Sequence, residues 1–192
     1  MRYRGYEGFR LSPIWFLIIL NLIVFIATLI SPQLYLILGL RPASFFQQPW
    51  TVLTNLFVHA GFSHFLTNMI TLFFFGTFLT KLIGENKLLI TYFGGGILGN
   101  ILFMFLSPPF VLAIGASGAV FALGGSLTVL VPKLRVFIFP IPVQIPLWIA
   151  VIGGFLILSF IPGIAWQAHL GGLAFGLVAG YIFKREQRYY YR

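Results

Sequence analysis

The chain has 192 residues, of which 59% are hydrophobic and only 8% charged, whereas a soluble domain averages about 25% charged residues. This composition excludes an ordinary soluble domain and indicates a polytopic membrane protein. The net charge of +9 comes from short basic clusters between apolar runs, as expected beside an anionic cytoplasmic leaflet, and not from a nucleic-acid-binding patch. The absence of cysteine excludes disulfides, a thiol nucleophile and a thiolate metal site.

Six apolar segments predict an all-α membrane protein with one domain over residues 1–192. They are residues 13–30, 64–83, 88–106, 117–131, 146–161 and 168–183, and some are shorter than the roughly 20 residues that a full crossing needs. The first segment lacks a small-residue cleavage site, so we expect a retained span instead of a removed signal peptide. Residues 31–63 are rich in aromatic side chains and carry one charge, Arg41, which predicts a partly embedded interfacial loop.

Basic residues occur in alternate loops and thereby set the orientation. They precede span one, flank the turn between spans two and three, lie between spans four and five, and follow span six: Arg2, Arg4, Arg10, Lys81, Lys87, Lys133, Arg135, Lys184, Arg185, Arg188 and Arg192. The positive-inside rule then places both termini in the cytoplasm, and every even-numbered span starts at the outer side.

Four polar side chains on three different spans fall at one depth. They are Ser117, His169, His64 and Asn68. Counted from the basic residue at the cytoplasmic end of the same span, they lie sixteen, fifteen, seventeen and thirteen positions away. At about 1.5 Å per residue, these positions are roughly 24, 22, 26 and 20 Å above the anchors, within a hydrocarbon core about 30 Å thick. Because polar groups at membrane depth usually face a bundle interior, the shared level predicts one site near the outer boundary.

Ser117 opens the fourth span and is either a small residue of a packed helix or a nucleophile. His169 is a candidate general base, because imidazole can take a hydroxyl proton near neutral pH. A carboxylate normally orients such a histidine, but the sequence has no aspartate, and the predicted topology puts Glu7, Glu85 and Glu186 in the cytoplasm. The sequence therefore predicts a catalytic Ser–His dyad. Phe121, four residues after Ser117, can stack on the histidine or be ordinary packing.

His64 and Asn68 lie four residues apart on one helix face, and both can donate hydrogen bonds. Together with the backbone N–H of Ser117 at the positive end of a helix, they are candidate oxyanion-stabilising groups. For His64 alone, the alternative is a helix cap or a bond to a loop carbonyl. A metal site of His59, His64 and His169 is conceivable, but the five-residue spacing suits one helix face poorly and no carboxylate is near. We therefore expect no metal and no cofactor.

Glycines recur at every fourth position of the last span, at Gly172, Gly176 and Gly180. This repeat gives the helix a smooth stripe for close contact with another helix. Gly118 and Gly125 offer a matching surface on the fourth span. We expect the fourth and sixth spans to approach closely, as the dyad requires.

Three motifs follow one another along the chain. Residues 59–68 read H-x4-H-x3-N, residues 115–118 read G-x-S-G, and residues 168–172 read A-H-x-x-G. In this order, with six spans and cytoplasmic termini, they resemble the rhomboid family of intramembrane serine proteases over nearly the whole chain. The chain resembles the minimal core of the family, without an added soluble domain or seventh span. In many members the first loop ends in Trp-Arg, whereas here Thr51 follows Trp50.

The resemblance implies a six-transmembrane-helix rhomboid-like bundle with a role for each matched residue. Ser117 is the implied nucleophile and His169 the implied general base. His64 and Asn68 are the implied oxyanion-stabilising pair. Phe121 would pack beneath the catalytic histidine, and Gly115 would lie in the loop that binds the substrate backbone.

The expected function is an intramembrane serine endopeptidase that cleaves transmembrane segments near the outer face of the membrane. The expected partners are single-pass transmembrane proteins and the lipid bilayer, with no nucleic acid. The cleaved segment should contain helix breakers or sit at the interface, because lipid makes helix opening costly. The fifth span and the loop Pro162–Trp166 form a candidate gate for lateral entry of the substrate. The alternative, nearly as well supported, is that the loop is only a connection and the span only a packing contact.

Three alternatives remain at the level of the sequence. The first is a catalytically silent rhomboid-like module that binds membrane proteins, and the second is a small transporter or channel. The third keeps the serine chemistry but hydrolyses lipid acyl groups. A prokaryotic plasma membrane fits the small size of the chain, and mitochondrial and Golgi membranes are the alternatives.

Overall fold

The structure is a computed structural model that describes residues 11–138 and 141–190, without the side chains of 138, 141, 142 and 187–190. In chain order the elements are α1 (Pro13–Ile30), α2 (Leu34–Leu38), a 3₁₀ turn (Pro42–Ser44), α3 (Thr51–Thr54), a second 3₁₀ turn (Asn55–Phe57), α4 (Phe62–Ile83), α5 (Glu85–Leu106), α6 (Ser117–Leu130), β1 (Arg135–Ile138), β2 (Ile141–Pro146), α7 (Leu147–Ser159) and α8 (Trp166–Tyr190). Several residues used to predict the topology lie outside the described set: Arg2, Arg4, Glu7, Arg10, Arg192 and the side chain of Arg188.

Each of the six predicted segments contains a helix. The first has the predicted bounds, because Pro13 starts α1 and Ser12 Oγ accepts a hydrogen bond from the N–H of Trp15 at 3.5 Å. The helices α4, α5 and α8 begin two or three residues earlier than predicted. Between α4 and α5 the connection is Gly84 alone, whose positive φ of 83° suits glycine.

Three of the described helices, α1, α4 and α5, are long and apolar enough to cross a membrane by length and composition. The helices α6 and α7 are also apolar but have only 14 and 13 residues. The longest helix, α8, has 25 residues and runs beyond the predicted end of its span into a charged segment.

The predicted interfacial loop, residues 31–63, is folded into short helical turns tied by side chains. Trp50 Nε1 donates to the carbonyl of Ile37 at 2.9 Å, and Thr54 Oγ1 donates to the carbonyl of Leu38 at 2.7 Å. Thr51 is buried, and its hydroxyl donates to the carbonyl of Gln48 at 2.6 Å. Thr51, the residue after Trp50, thus makes a contact within its own turn.

The fifth predicted segment, residues 146–161, contains a helix that begins one residue later than predicted, because Pro146 ends a strand. Pro142 and Pro146 lie in β2, which pairs antiparallel with β1 from Arg135 opposite Pro146. The helix α7 begins only at Leu147. A β-strand tolerates proline where the missing N–H is not needed for pairing, whereas a helix tolerates it only in the first turn.

The bundle is organised around α6, which packs against α4, α5, α7 and α8. Nine of its residues are buried, among them Leu123, Leu127 and the only polar one in its middle, Ser126. A helix that is apolar all round is expected to be surrounded by other helices. Its first residue, Ser117, therefore opens a helix whose position is fixed on several sides.

Glycines bring the backbones of α6 and α8 into direct contact. A Cβ atom added at Gly172 would collide with the carbonyl oxygen of Gly118, and one added at Gly176 with that of Ala122. In the same register, a Cβ at Gly180 would lie 2.7 Å from the carbonyl oxygen of Ser126. These contacts confirm the close approach that the glycine repeat predicts.

Charged residues join α5, α6 and α8 at the end of the bundle away from Ser117. Lys184 Nζ of α8 donates to the carbonyl of Val129 near the end of α6 at 2.6 Å. Lys87 near the start of α5 forms a 2.6 Å salt bridge with Glu186 of α8. These contacts join α5, α6 and α8 at one end, and Ser117 lies at the other end of α6.

We predict that Gly176→Ala lowers the thermal unfolding temperature of the detergent-solubilised protein by several degrees. The added methyl would displace the backbone of α6 at Ala122, and overpacking of this kind costs about 1–3 kcal/mol. The matched control is Gly153→Ala in α7, where an added Cβ meets nothing within 4 Å. The control should keep or slightly raise the unfolding temperature, because alanine favours helix. Equal unfolding temperatures for the two variants would contradict the packing argument.

Candidate active site

Ser117 and His169 meet at the helix ends where α6 and α8 begin. His169 Nε2 and Ser117 Oγ are 2.7 Å apart, a hydrogen-bond distance. Ser117 is the first residue of α6, and His169 is the fourth residue of α8 and is 4% exposed. The contact lies beside the first glycine contact of the two helices, between Gly172 and Gly118. The structure thus brings together the two residues that the sequence pairs as nucleophile and base.

Phe121 lies against the imidazole of His169, as the sequence suggests. The ring centroids are 4.7 Å apart, and the ring planes are inclined by 35°. The same phenyl ring makes an edge contact with Phe155 of α7, with centroids 6.2 Å apart. Phe121 therefore links the candidate base to the helix on its other side.

No carboxylate supports the histidine in the described part of the chain. His169 Nδ1 is buried and has no hydrogen-bond partner among the described residues. Glu186 is in the same helix but 17 residues further on, which places it about 25 Å along the helix axis. Glu85 starts α5, at the end of the bundle where Lys87 pairs with Glu186.

His64 and Gly115 complete the surroundings of the serine. A Cβ added at Gly115 would lie 2.8 Å from His64 Nε2 and 3.6 Å from Ser117 Oγ, so the imidazole and the hydroxyl flank the same glycine. The φ of Gly115 is +126°, a conformation that other residues rarely adopt. His64 Nδ1 accepts a hydrogen bond from the N–H of Ala60 at 3.4 Å. In a neutral imidazole the proton then resides on Nε2, the nitrogen that faces the site.

Asn68 reaches the site through His64. The side chain is buried, and its Nδ2 donates to the carbonyl of His64 at 2.8 Å. This bond uses one of the two hydrogens on Nδ2. No hydrogen bond joins Asn68 directly to Ser117 among the described residues. His64 and Asn68, the oxyanion-stabilising pair expected from the sequence, are thus in contact with each other, and His64 is the nearer of the two to Ser117.

His59, the third histidine, is fully buried behind the serine turn. Its Nε2 accepts a long hydrogen bond, 3.5 Å, from the N–H of Ala116, and its ring makes an edge contact with that of His64. Burial and, to a lesser extent, the nearby His64 lower the pKa of His59 to about 3, against a backbone contact at Phe57 that raises it. His59 is therefore neutral at physiological pH. Among the described residues, no group of three or more His, Cys, Asp or Glu could hold a metal ion.

Two buried polar residues near the site are absent from the set predicted by sequence. Asn55 and Asn100 pair through their side chains, and the carbonyl of Asn55 accepts a hydrogen bond from the N–H of Gly115 at 2.9 Å. A signal for Asn100 exists in the sequence, because it lies thirteen positions from Lys87, the same count that separates Asn68 from Lys81. The depth argument applied to the third span would have included it.

Taken together, the site is a serine–histidine pair at the ends of two buried helices in an apolar bundle. The rhomboid domain profile matches residues 47–186 of the chain. The chain is 33% identical over 143 residues to YdcA of Bacillus subtilis (strain 168), a candidate rhomboid protease by its name, with 73% of this chain and 71% of that protein covered. This protein belongs to the rhomboid family, a family of intramembrane proteases, and it is a multi-pass membrane protein.

Two further relatives are longer than this chain. Rhomboid protein 1, mitochondrial, of Saccharomyces cerevisiae is 28% identical over 158 residues, which cover 72% of this chain and 43% of that protein. Rhomboid protease GluP of Bacillus subtilis (strain 168) is 33% identical over 132 residues, which cover 68% of this chain and 25% of that protein. The chain thus spans less than half the length of these two relatives.

We predict that the stability of the protein falls as pH drops from about 6.5 toward 3, in part because of His59. The pKa of His59 is lowered to about 3 in the folded protein, so between these values the unfolded chain binds a proton that the folded protein excludes. The unfolding free energy then rises with pH across this window, by at most about 1.4 kcal/mol per unit from this group.

The measurement is the thermal unfolding temperature in detergent at several pH values, for the parent and for His59→Gln. The variant keeps an acceptor for the N–H of Ala116 but has no titrating group, so its pH dependence should be shallower. An identical slope in both proteins would show that His59 is not the responsible group.

Proposed function

We propose that this protein is an intramembrane serine endopeptidase that cleaves transmembrane segments of other membrane proteins near the outer face through Ser117 and His169. The observation that carries the proposal is the 2.7 Å separation of His169 Nε2 and Ser117 Oγ. Membership of the rhomboid family supports it. The proposal includes one domain over residues 1–192, six spans, cytoplasmic termini and location in a prokaryotic plasma membrane.

The reaction proceeds in two halves through an acyl-enzyme. Ser117 Oγ attacks the scissile carbonyl carbon while His169 Nε2 takes the hydroxyl proton. The imidazolium then gives this proton to the leaving amine, the peptide C–N bond breaks, and the ester of Ser117 remains. In the second half, His169 takes a proton from water as the water oxygen attacks the ester carbonyl carbon. The bond between this carbon and Ser117 Oγ then breaks, the imidazolium returns the proton to Ser117 Oγ, and the carboxylic acid product leaves.

The oxyanion of each tetrahedral intermediate is stabilised by donors around Gly115. Nε2–H of His64 faces this glycine, which lies between the imidazole and Ser117 Oγ. Asn68 stands one helical turn from His64 and has a second Nδ2 hydrogen. The backbone N–H of Ser117 belongs to the first turn of α6, where the helix leaves amides unpaired. Such preorganised donors usually supply the largest part of the rate enhancement.

Phe121 supplies part of the stabilisation and orientation of the histidine that a carboxylate supplies in a triad. Its ring lies against His169 at 4.7 Å between centroids, within the range at which an aromatic face attracts a cation. It favours the imidazolium that forms during the reaction by about 0.5–2 kcal/mol. It also limits rotation of the imidazole in the absence of a hydrogen bond to Nδ1.

The substrate is a single-pass transmembrane protein that reaches the site from the bilayer past α7. Only Leu147 and Val151 of this helix are buried. A Cβ added at Gly153 or Gly154 would meet nothing within 4 Å, so these glycines are not packing contacts. Because α7 is held weakly, it can move aside at low cost, together with the loop Pro162–Trp166. The cleaved segment extends in the site, which favours substrates with helix breakers.

We predict that Ser117→Ala and His169→Ala each lower proteolysis by about a thousandfold or more, because the nucleophile and its base act as one unit. The assay uses purified protein in liposomes with a single-pass substrate that has small and helix-breaking residues near its outer end. Labelling of Ser117 by a fluorophosphonate runs in parallel. The parent should cleave and be labelled, Ser117→Ala should do neither, and His169→Ala should be labelled slowly.

Other outcomes select among the alternatives. Cleavage that survives in both variants would refute this site. Substrate binding by the parent without cleavage or labelling would indicate the catalytically silent binding module. Labelling without proteolysis, together with release of fatty acid from phospholipid, would indicate a lipid acyl hydrolase.

We predict that Gly115→Ala lowers kcat/KM by about a hundredfold, because the added methyl clashes with His64 and the φ of +126° disfavours alanine. The control is Gly61→Ala, a second loop glycine near His64. Gly61 has φ of 173°, which alanine adopts, and an added Cβ there meets nothing within 4 Å. Full activity of Gly115→Ala would show that this turn does not shape the site.

A further inference from the structure

A buried pair of asparagine side chains holds the predicted interfacial loop, residues 31–63, against α5. Asn55 lies in the 3₁₀ turn after α3, Asn100 lies in α5, and each is 2% exposed. Asn55 Nδ2 donates to Asn100 Oδ1 at 2.9 Å, and Asn100 Nδ2 donates to Asn55 Oδ1 at 2.8 Å. Asn100 Nδ2 also donates to the carbonyl of Val52 at 2.7 Å. The two side chains thus form a closed reciprocal amide pair, and both Nδ2 hydrogens of Asn100 are used.

The same 3₁₀ turn holds the segment that leads into the nucleophile. The backbone N–H of Gly115 donates to the carbonyl of Asn55 at 2.9 Å. Gly115 is two residues before Ser117, and it is the residue that the imidazole of His64 and the hydroxyl of Ser117 flank. Any displacement of Asn55 is therefore transmitted through one hydrogen bond to the glycine between these two groups.

An apolar contact lies beside the amide pair, but it does not fix the orientation of this 3₁₀ turn on α5. Leu56 is 1% exposed, and a Cβ at Gly96, one helical turn before Asn100, would lie 2.8 Å from a Leu56 methyl group. Apolar burial is non-directional. The reciprocal amide pair has a defined plane and two defined distances, so it specifies how the turn sits on α5. A buried polar pair of this kind is favourable only when its members remain fully bonded.

We propose that Asn55 and Asn100 are positioning residues of the active site. Their amide pair fixes the turn at Asn55, the turn fixes Gly115, and Gly115 sets the place of Ser117 relative to His169 and to the oxyanion donors. The inference rests on the proposed proteolytic function. A misplacement of about 1 Å in reacting groups costs roughly a hundredfold in rate, so a small shift of this turn is sufficient to impair catalysis without loss of the fold.

The test compares Asn100→Ala, Asn55→Ala and the double variant with the parent in liposomes. For each protein, kcat and KM for the single-pass substrate, the rate of fluorophosphonate labelling of Ser117 and the unfolding temperature are measured. Each single variant should lower kcat and the labelling rate by about tenfold to a hundredfold with KM nearly unchanged. The double variant should be no slower than the slower single variant, because the two side chains act through one shared pair.

The control is Thr91→Val in the same helix α5. Thr91 is fully buried, and among the described residues its hydroxyl donates to the carbonyl of Lys87 in its own helix, at 2.7 Å. This variant removes a buried hydrogen bond that has no path to Gly115, so kcat and labelling should match the parent. If Asn100→Ala fails to fold, Asn55→Ala serves alone, because it leaves α5 and the carbonyl that binds Gly115 intact.

The contrary results are distinct. A lowered unfolding temperature with parental kcat and labelling would show that the pair only stabilises the fold. Multiplicative losses in the double variant would show that the residues act separately. Absence of cleavage and labelling in the parent would refute the proposed function, whereas a labelled parent and equally labelled Asn variants would refute only the positioning role.

Discussion

The contact of two helix backbones, α6 against α8, is the constraint on which the rest of the structure depends. Lipid tails are as apolar as leucine, so helices in a bilayer associate through close packing more than through hydrophobic burial. Gly172 and Gly176 allow the carbonyls of Gly118 and Ala122 to lie directly on α8. Contacts of a Cα–H group with a carbonyl oxygen add about 0.5–1 kcal/mol each. Ser117 and His169 sit at the start of this interface, so one helix register seats the glycines and sets the Oγ–Nε2 distance.

The second constraint is the separation of charge from the site along the helix axis. The salt bridge of Lys87 with Glu186 and the hydrogen bond of Lys184 with Val129 join α5, α6 and α8 at the end away from the serine. Ions at that end can reach water or headgroups, whereas a carboxylate beside His169 would be buried in an apolar bundle at a high desolvation cost. Among the described residues no carboxylate lies beside His169, in keeping with the cost of burying one there. Packing by Phe121 and fixation of both helix ends replace the orientation that an ion would supply.

The sequence predicts those features that local patterns encode. Apolar runs with basic ends define the helices, and counting residues from these ends predicts one level for Ser117, His169 and His64. In the structure His169 Nε2 lies 2.7 Å from Ser117 Oγ, and His64 and Ser117 flank the same glycine. The hairpin β1–β2 was not predictable in this way, because proline and apolar residues before α7 fit either a strand or the start of a span. The Asn55–Asn100 pair joins residues 45 positions apart, and no periodicity encodes such a contact. The one signal in the sequence is the position of Asn100 in its helix, thirteen residues from Lys87, which matches the count from Lys81 to Asn68.

Packing is unevenly distributed among the helices of the bundle, and this bears on the proposed route of substrate entry. The helices α5, α6 and α8 are joined by glycine contacts that tolerate no added atom: a Cβ at Gly99 would collide with the carbonyl oxygen of Ala168, just as one at Gly172 would collide with Gly118. Separation of these helices would also separate Ser117 from His169, so opening there is incompatible with catalysis. The helix α7 has few buried residues and touches the site through Phe155 against Phe121. Movement of α7 would leave the contact of Ser117 with His169 intact and change only the far side of the phenyl ring that lies on His169. For this reason we propose α7 as the wall that a transmembrane substrate passes to reach the serine.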